Sequence, residues 1–161
     1  MDPKVRSAIQ SAIDRCFVMN ALCDRMYYVM KGQWYMKEFS KLFHEKVAHA
    51  YPAIADALGD VLLGEAQDVT RGAMNSQAQD YTGPTQMLGM YRDEVLATRA
   101  MISDAYYAAF DYREPGVAAL LEDVLEDYQE DMVSQAIRMA GKATQYGDNV
   151  HQIDNDADLF F

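Results

Sequence analysis

The chain has 161 residues, half of them apolar, and its 25 acidic and 14 basic side chains give a net charge of −11. Such a length and apolar content allow one sizeable core, so we expect a single domain. DNA and anionic membranes are bound mainly through lysine and arginine, so this charge disfavours both partners. The sequence also has no run of roughly 18 apolar residues that could cross a bilayer.

The first predicted helix runs from about Lys4 to Lys31, where apolar residues recur every three or four positions, and Gly32 marks its end. Cys16 and Cys23 lie about 10 Å apart along its axis, so they cannot form a disulfide with each other. Two buried, reduced thiols fit a reducing compartment, and the N-terminal sequence lacks the layout of a signal peptide. We therefore expect a cytoplasmic protein.

The second predicted helix covers 33–63, with a kink expected at Pro52 and an end at Gly64. A polar stretch without clear periodicity follows up to Pro84, and it predicts a long connection with room for one short helix. A third helix is predicted after Pro84. It is followed by a turn at 113–116 and a fourth helix that ends near Gly141.

Two helices, a long crossover and two more helices joined by a tight turn predict an all-α fold. The connectivity is that of a ferritin-like four-helix bundle with the crossover between helices 2 and 3. The predicted domain covers residues 1–142, and 143–161 form an acidic C-terminal tail. The tail is either disordered or docked through its last three residues, Leu159, Phe160 and Phe161. Docking is preferred, because these apolar side chains would otherwise be solvated.

The second helix carries metal-ligand residue types on one side. At about 100° per residue, four of them fall within roughly a 60° arc opposite the apolar stripe: Glu45, His49, Asp56 and Asp60. A face turned away from the core can complete a metal site only with a neighbour, most simply another copy of the chain. The alternative is a polar face that meets solvent or lines a shell.

Two segments resemble the Dps-type miniferritins, which protect DNA in starved cells. Gln33-Trp34-Tyr35-Met36, followed by a helix with acids at its far end, resembles the His-Trp region of that family, and residues 116–141 resemble its closing helix. The resemblance implies a hollow homo-oligomer, a dodecamer, that oxidises and stores iron and protects against oxidative stress. It also implies that the metal is bound between two subunits.

The family's ligand positions carry over to this sequence only in part. Gln33 stands at the first His, Glu45 at the second His and His49 at the following acid, and Asp60 matches the family's Asp. Gly64 replaces a Glu, for which Asp56, one turn before Asp60, is a better substitute than Glu65, because Glu65 points about 140° away from Asp60. The resemblance thus implies an iron site at Glu45, His49, Asp56 and Asp60. The rival hypothesis is a non-catalytic ferritin-like shell or interaction protein that has lost the ferroxidase site.

Two further patterns bear on metal chemistry. None of the three histidines follows a Glu at the Glu-x-x-His spacing, so a di-iron site at the bundle centre is not predicted. Acidic residues recur along the fourth helix, and they predict a negative stripe that either guides cations or is simply solvated: Glu122, Asp123, Glu126, Asp127, Glu130 and Asp131.

Overall fold

The computed structural model describes residues 1–161 and contains helices and connections but no strands, which confirms the all-α fold. Helix α1 spans Pro3–Gly32. The Asp2 carboxylate accepts a hydrogen bond from the Lys4 amide at 2.8 Å, and Pro3 takes the first helical position, where a missing amide proton costs nothing. The first predicted helix is therefore confirmed nearly to the residue.

The second bundle helix begins later than predicted and is not regular. It consists of α2, Lys37–Phe43, a π-helical turn, His44–Ala48, and α3, Ala50–Gly64. Tyr35 has a φ of 56°, which a helix interior does not accommodate, so the stretch from Gln33 to Met36 is the turn between α1 and α2 and not the start of the helix.

The irregularity that was expected at Pro52 lies just before it. Proline has no amide proton to donate to the carbonyl four residues back, which belongs to Ala48. The Asn20 side-chain amide of α1 donates to that carbonyl instead, at 2.9 Å. The π-helical turn and Pro52 thus belong to one irregular segment of the helix. A hydrogen bond from the neighbouring helix α1 to Ala48 stabilises this segment.

The long crossover, residues 65–83, contains no helix and is tied to α1 by side chains. The Thr70 amide donates to Gln10, the Gly72 amide donates to Asp14 at 2.9 Å, and Arg25 donates to the Gln79 carbonyl at 2.9 Å. The predicted long crossover is confirmed, and the short helix that it could have held is absent.

The second hairpin starts with α4, Pro84–Asp111. After a short turn, α5 spans Pro115–Tyr128, a second π-helical turn spans Gln129–Val133, and α6 spans Ser134–Tyr146. Helix α1 packs against α3 and α4, and α4 packs against α5 and α6, so that 41 buried side chains form one core. No helix of the fold is both long enough and apolar enough to cross a membrane.

The C-terminal segment is docked, and the fourth bundle helix runs to Tyr146 and not just to Gly141. Helix α7, Val150–Asn155, and a 3₁₀ helix, Ala157–Phe160, pack on α2 and α6. The Phe160 ring is buried and packs edge-on against the Phe39 ring, with ring centroids 5.2 Å apart. The Asp154 carboxylate accepts a hydrogen bond from the Phe39 amide at 2.8 Å. The segment thus satisfies a donor in the first turn of α2, whose own N-cap residue provides no side-chain hydrogen bond.

Candidate metal centre

The first π-helical turn changes where the four predicted ligands point. The His49 amide donates to the carbonyl of His44, five residues back, at 3.2 Å. One extra residue in a turn rotates everything after it by about 100° relative to everything before it. After this shift His49, Asp56 and Asp60 lie about 60°, 80° and 40° to the other side of Glu45 around the helix axis, so the arc of the four residues reverses its order and widens from about 60° to about 80°, and Glu45 stays within it.

All four predicted ligands are exposed, and they are spread along the helix. His49 and Asp56 are separated by about 10 Å of axial rise, and Asp60 lies about 6 Å farther on. Asp56 and Asp60 line a shallow groove whose walls include Phe17 and Leu63. No group of three or more His, Cys, Asp or Glu side chains in the chain is placed to hold a metal ion. A metal on this face therefore needs ligands from another molecule.

The same turn creates a cluster that the sequence did not reveal. The turn brings His44 beside His49, with ring centroids 4.3 Å apart, although the two residues are five positions apart in the sequence. The His44 Nδ1 atom lies 3.4 Å from the Asp24 Oδ1 atom of α1, and both atoms are buried without a hydrogen-bond partner. Asp24 could not be found from the sequence, because its role depends on how α1 and the π-helical turn pair.

The bundle centre contains tyrosines and no metal ligands of the ferritin type. Tyr51, Tyr91 and Tyr128 are almost fully buried. The hydroxyls of Tyr51 and Tyr128 lie 3.5 Å apart, and Tyr128 donates to the Val95 carbonyl at 3.2 Å. The Tyr91 hydroxyl is buried without a hydrogen-bond partner. No carboxylate or imidazole is among the buried side chains.

Burial keeps the polar groups of the centre neutral. It raises the pKa of the Tyr51 and Tyr91 phenols well above their usual value, and it raises the pKa of the Cys16 thiol to about 12. Thiol and phenol groups bind metals in their deprotonated form, which this environment disfavours. Di-iron centres in such bundles are built from inward-facing Glu and Glu-x-x-His residues. The residues at the centre of this bundle do not fit a di-iron site of that kind.

The predicted negative stripe on the fourth bundle helix is present and faces outward. Its six acids are exposed, and none of them is in an ion pair: Glu122, Asp123, Glu126, Asp127, Glu130 and Asp131. Carboxylates free of counter-charges attract cations to a surface. The candidate cation chemistry of the chain thus lies on its outside.

Comparison with known proteins finds similarity in structure alone. No protein-family model matches the chain, and no curated protein matches it in sequence. Among solved structures, a closed form of the Archaeoglobus fulgidus ferritin engineered by site-directed mutagenesis matches with a TM-score of 0.88 at 14% identity, covering 99% of this chain and 97% of that one. A humanized archaeal ferritin matches with a TM-score of 0.88 at 11% identity, covering 99% and 96%. An open-pore ferritin from the hyperthermophilic archaeon Archaeoglobus fulgidus matches with a TM-score of 0.85 at 14% identity, covering 99% and 97%.

These matches show that the chain has the ferritin fold over nearly its whole length. Because 99% of the chain is covered, the match includes the docked C-terminal segment as well as the four bundle helices. At 11–14% identity the similarity does not extend to particular site residues. The ligand set has to be argued from this chain's own side chains.

Proposed function

We propose that this chain is a subunit of a hollow, cytoplasmic homo-oligomer that binds and stores iron, with Fe(II) bound on the subunit surface and not at the bundle centre. The observation that carries the proposal is the ferritin fold over 99% of the chain, combined with ligand-type side chains that lie only on its outside. Iron is the cargo of such a shell.

Exposed apolar side chains support assembly. Large apolar residues are at least 60% exposed on several separate elements of the fold: Tyr28, Tyr35, Leu63, Tyr107, Phe110 and Leu159. Side chains of this kind are buried at interfaces when copies associate. A closed shell uses more than one interface per subunit, and the spread of these residues over different faces fits that requirement. The Dps-type resemblance favours a dodecamer.

For the iron site we propose a Dps-like arrangement at an interface, in which His49, Asp56 and Asp60 of one subunit share the metal with a neighbour. Carboxylates favour the harder Fe(III) product, and an imidazole favours Fe(II), so the set suits oxidation by peroxide or dioxygen. Such a site would protect the cell against oxidative stress, because it removes both Fe(II) and the oxidant. Glu45, about one turn before His49 and on the same side of the helix, is the fourth candidate ligand.

The second candidate function is a non-catalytic shell. The observation that favours it is that no group of three or more His, Cys, Asp or Glu side chains in the chain is placed to hold a metal ion, together with Gly64 at a position where the family has a carboxylate. In this case the acidic stripe of the fourth bundle helix would collect iron, and oxidation would not be accelerated.

One experiment tests the storage proposal and separates the two candidates. Fe(II) is added anaerobically to the purified protein, an oxidant follows, and ferric absorbance is recorded with and without protein, together with the mass of the assembly by light scattering. Faster oxidation with iron retained in a large particle supports the ferroxidase proposal, and retention without acceleration supports the non-catalytic shell. A monomer mass at micromolar concentration, or iron that precipitates as it does in buffer, contradicts storage altogether.

A further inference from the structure

Three of the six lysines of this acidic chain converge on one pocket, at the corner where α1 ends and α2 begins. Lys31 comes from the last turn of α1, and Lys37 and Lys41 come from α2. The pocket has a volume of about 240 Å³. It is separate from the groove beside Asp56 and Asp60.

Helical spacing explains why these side chains meet. Lys37, Lys41 and His44 follow one another at intervals of four and three residues, so they share a face of the helix. The reversal of the chain after Gly32 places this face beside the end of α1. There the Lys31 ammonium group is held 2.7 Å from the Tyr27 hydroxyl and over the Tyr27 ring.

The positive charge of the pocket is not balanced within the chain. Although the chain has 25 acidic residues, none of the three lysines is in an ion pair. Glu45 is the only carboxylate that lines the pocket, which leaves a net of two positive charges with His44 neutral. Like charges four residues apart on a helix repel each other, so Lys37 and Lys41 destabilise this corner unless an anion lies between them.

We propose that this pocket binds a small tetrahedral oxyanion, inorganic phosphate. Three ammonium groups can donate charge-assisted hydrogen bonds to different oxygens of one anion. The Tyr27 hydroxyl accepts from Lys31, so its own proton remains free to donate. The volume lies below the range of roughly 300–1,000 Å³ of pockets for drug-sized ligands, which fits a single small ion.

The rest of the surface selects against longer polyanions. A nucleic acid or polyphosphate chain would extend beyond the pocket onto a protein with a net charge of −11. Charges closer together than the Debye length of about 8 Å at physiological salt are only partly screened, so the additional phosphates would be repelled. Free phosphate avoids this repulsion, because all its charge stays inside the pocket.

The test is calorimetric titration of inorganic phosphate into the assembled, metal-free protein at low salt. We expect saturable binding that a Lys31→Gln, Lys41→Gln double variant weakens at least tenfold. The matched control is Lys4→Gln, Arg6→Gln, which removes the same charge from the other end of α1, about 40 Å away, and should bind phosphate as the wild type does. A Lys31→Arg, Lys41→Arg variant keeps the charge and should retain most of the affinity.

Four outcomes would overturn the proposal. The first is no saturable heat with phosphate, and the second is equal weakening in the control variant, which would indicate a general charge effect. The third is binding of an oligonucleotide or polyphosphate without binding of free phosphate. The fourth is loss of assembly in the Lys31→Gln, Lys41→Gln variant without phosphate binding in the wild type, which would show that carboxylates of a neighbouring copy occupy the pocket.

Discussion

The bundle centre and the outer face of the second bundle helix have opposite properties in this protein. The centre is packed with tyrosines, thiols and methionines and holds no carboxylate or imidazole, whereas the outer face carries Glu45, His49, Asp56 and Asp60 without burying any of them. The comparison shows that the ferritin fold can be built without carboxylate or imidazole ligands at its centre. A match to ferritins in fold therefore carries no ligand set with it.

A physical reason supports this separation of fold and site. Buried carboxylates cost several kcal/mol each unless a metal or partner compensates them. A centre made of Tyr51, Tyr91 and Tyr128 needs no such compensation, because neutral hydroxyls cost far less to bury. The core can therefore hold the bundle together whether or not iron is bound.

The largest effect of a single substitution is expected at Tyr91. Tyr91→Ala should destabilise the protein by about 3–5 kcal/mol, because it leaves a cavity in the middle of the core, and the thermal midpoint should fall by roughly 10 °C. Tyr91→Phe removes only a hydroxyl that has no hydrogen-bond partner, so it should change stability by less than about 1 kcal/mol. Thermal unfolding of both variants checks this pair of values. A large loss of stability in Tyr91→Phe would mean that the hydroxyl has a hydrogen-bond partner. The centre of the bundle would then not be closed to water.

The centre should also make the protein sensitive to alkali. Burial raises the pKa of the Cys16 thiol from 9.0 to about 12, and it raises the pKa of the Tyr51 phenol well above 10.0. Above pH 9 the unfolded chain loses protons that the folded chain keeps, so stability should be full below pH 9 and fall as the pH rises toward 12. Each such group contributes about 1.4 kcal/mol per pH unit.

Unfolding measured in urea between pH 8 and pH 12 checks this dependence. Tyr51→Phe should flatten the profile above pH 10 and leave the loss between pH 9 and pH 10 in place, because the thiols cause the earlier loss. Tyr28→Phe is the control, since Tyr28 is 62% exposed. A profile that stays flat to pH 12 would show that water reaches the central hydroxyls.

On the outer face, residues of the same charge should differ in their effect on iron binding according to the direction in which they point. Asp60→Asn should weaken Fe(II) binding roughly tenfold, because it removes a charged ligand without changing shape. Glu65→Gln removes the same charge from a position that points about 140° away from Asp60 and should have little effect. Anaerobic Fe(II) titration of the assembled protein measures both. Unchanged iron binding and oxidation in Asp60→Asn would exclude Asp60 as a ligand, and an equal effect of Glu65→Gln would indicate a general effect of charge.

The sequence was a good guide to the fold, because helical periodicity and turn residues are local signals. The breaks at Gly32 and Pro84 and the polar crossover were sufficient to predict the four helices and their connectivity. The ligand arc depended on a stronger assumption, namely 100° per residue from Glu45 to Asp60. The π-helical turn broke that assumption, and no local signal but Pro52 marks it.

Non-local contacts explain the other differences. The docking of the C-terminal segment depends on Phe39, and the cluster at His44 depends on Asp24, both distant in the sequence from the groups they contact. The sequence did not mark Tyr91 as part of a central group of tyrosines. A tyrosine in an apolar stripe looks the same in the sequence whether or not its hydroxyl lies near other hydroxyls. Such contacts follow from how helices pair, which periodicity does not specify.

The smallest effect is expected at the pair formed by Asp24 and His44, and it tests whether the outer face holds a complete metal site within one subunit. Both side chains are about one-third exposed, so Asp24→Asn should change stability by less than about 1 kcal/mol. Although His49 lies beside this pair, no three ligand-type side chains of the chain are placed to hold a metal ion together, so a divalent metal should stabilise the wild type and Asp24→Asn equally. A complete site at 100 times its dissociation constant would instead give the wild type about 2.7 kcal/mol that the variant lacks. Thermal unfolding of both proteins with and without Zn(II) or anaerobic Fe(II) distinguishes the two results. A stabilisation that disappears in Asp24→Asn would show that one subunit suffices to bind metal, and the requirement for a neighbour would then be wrong.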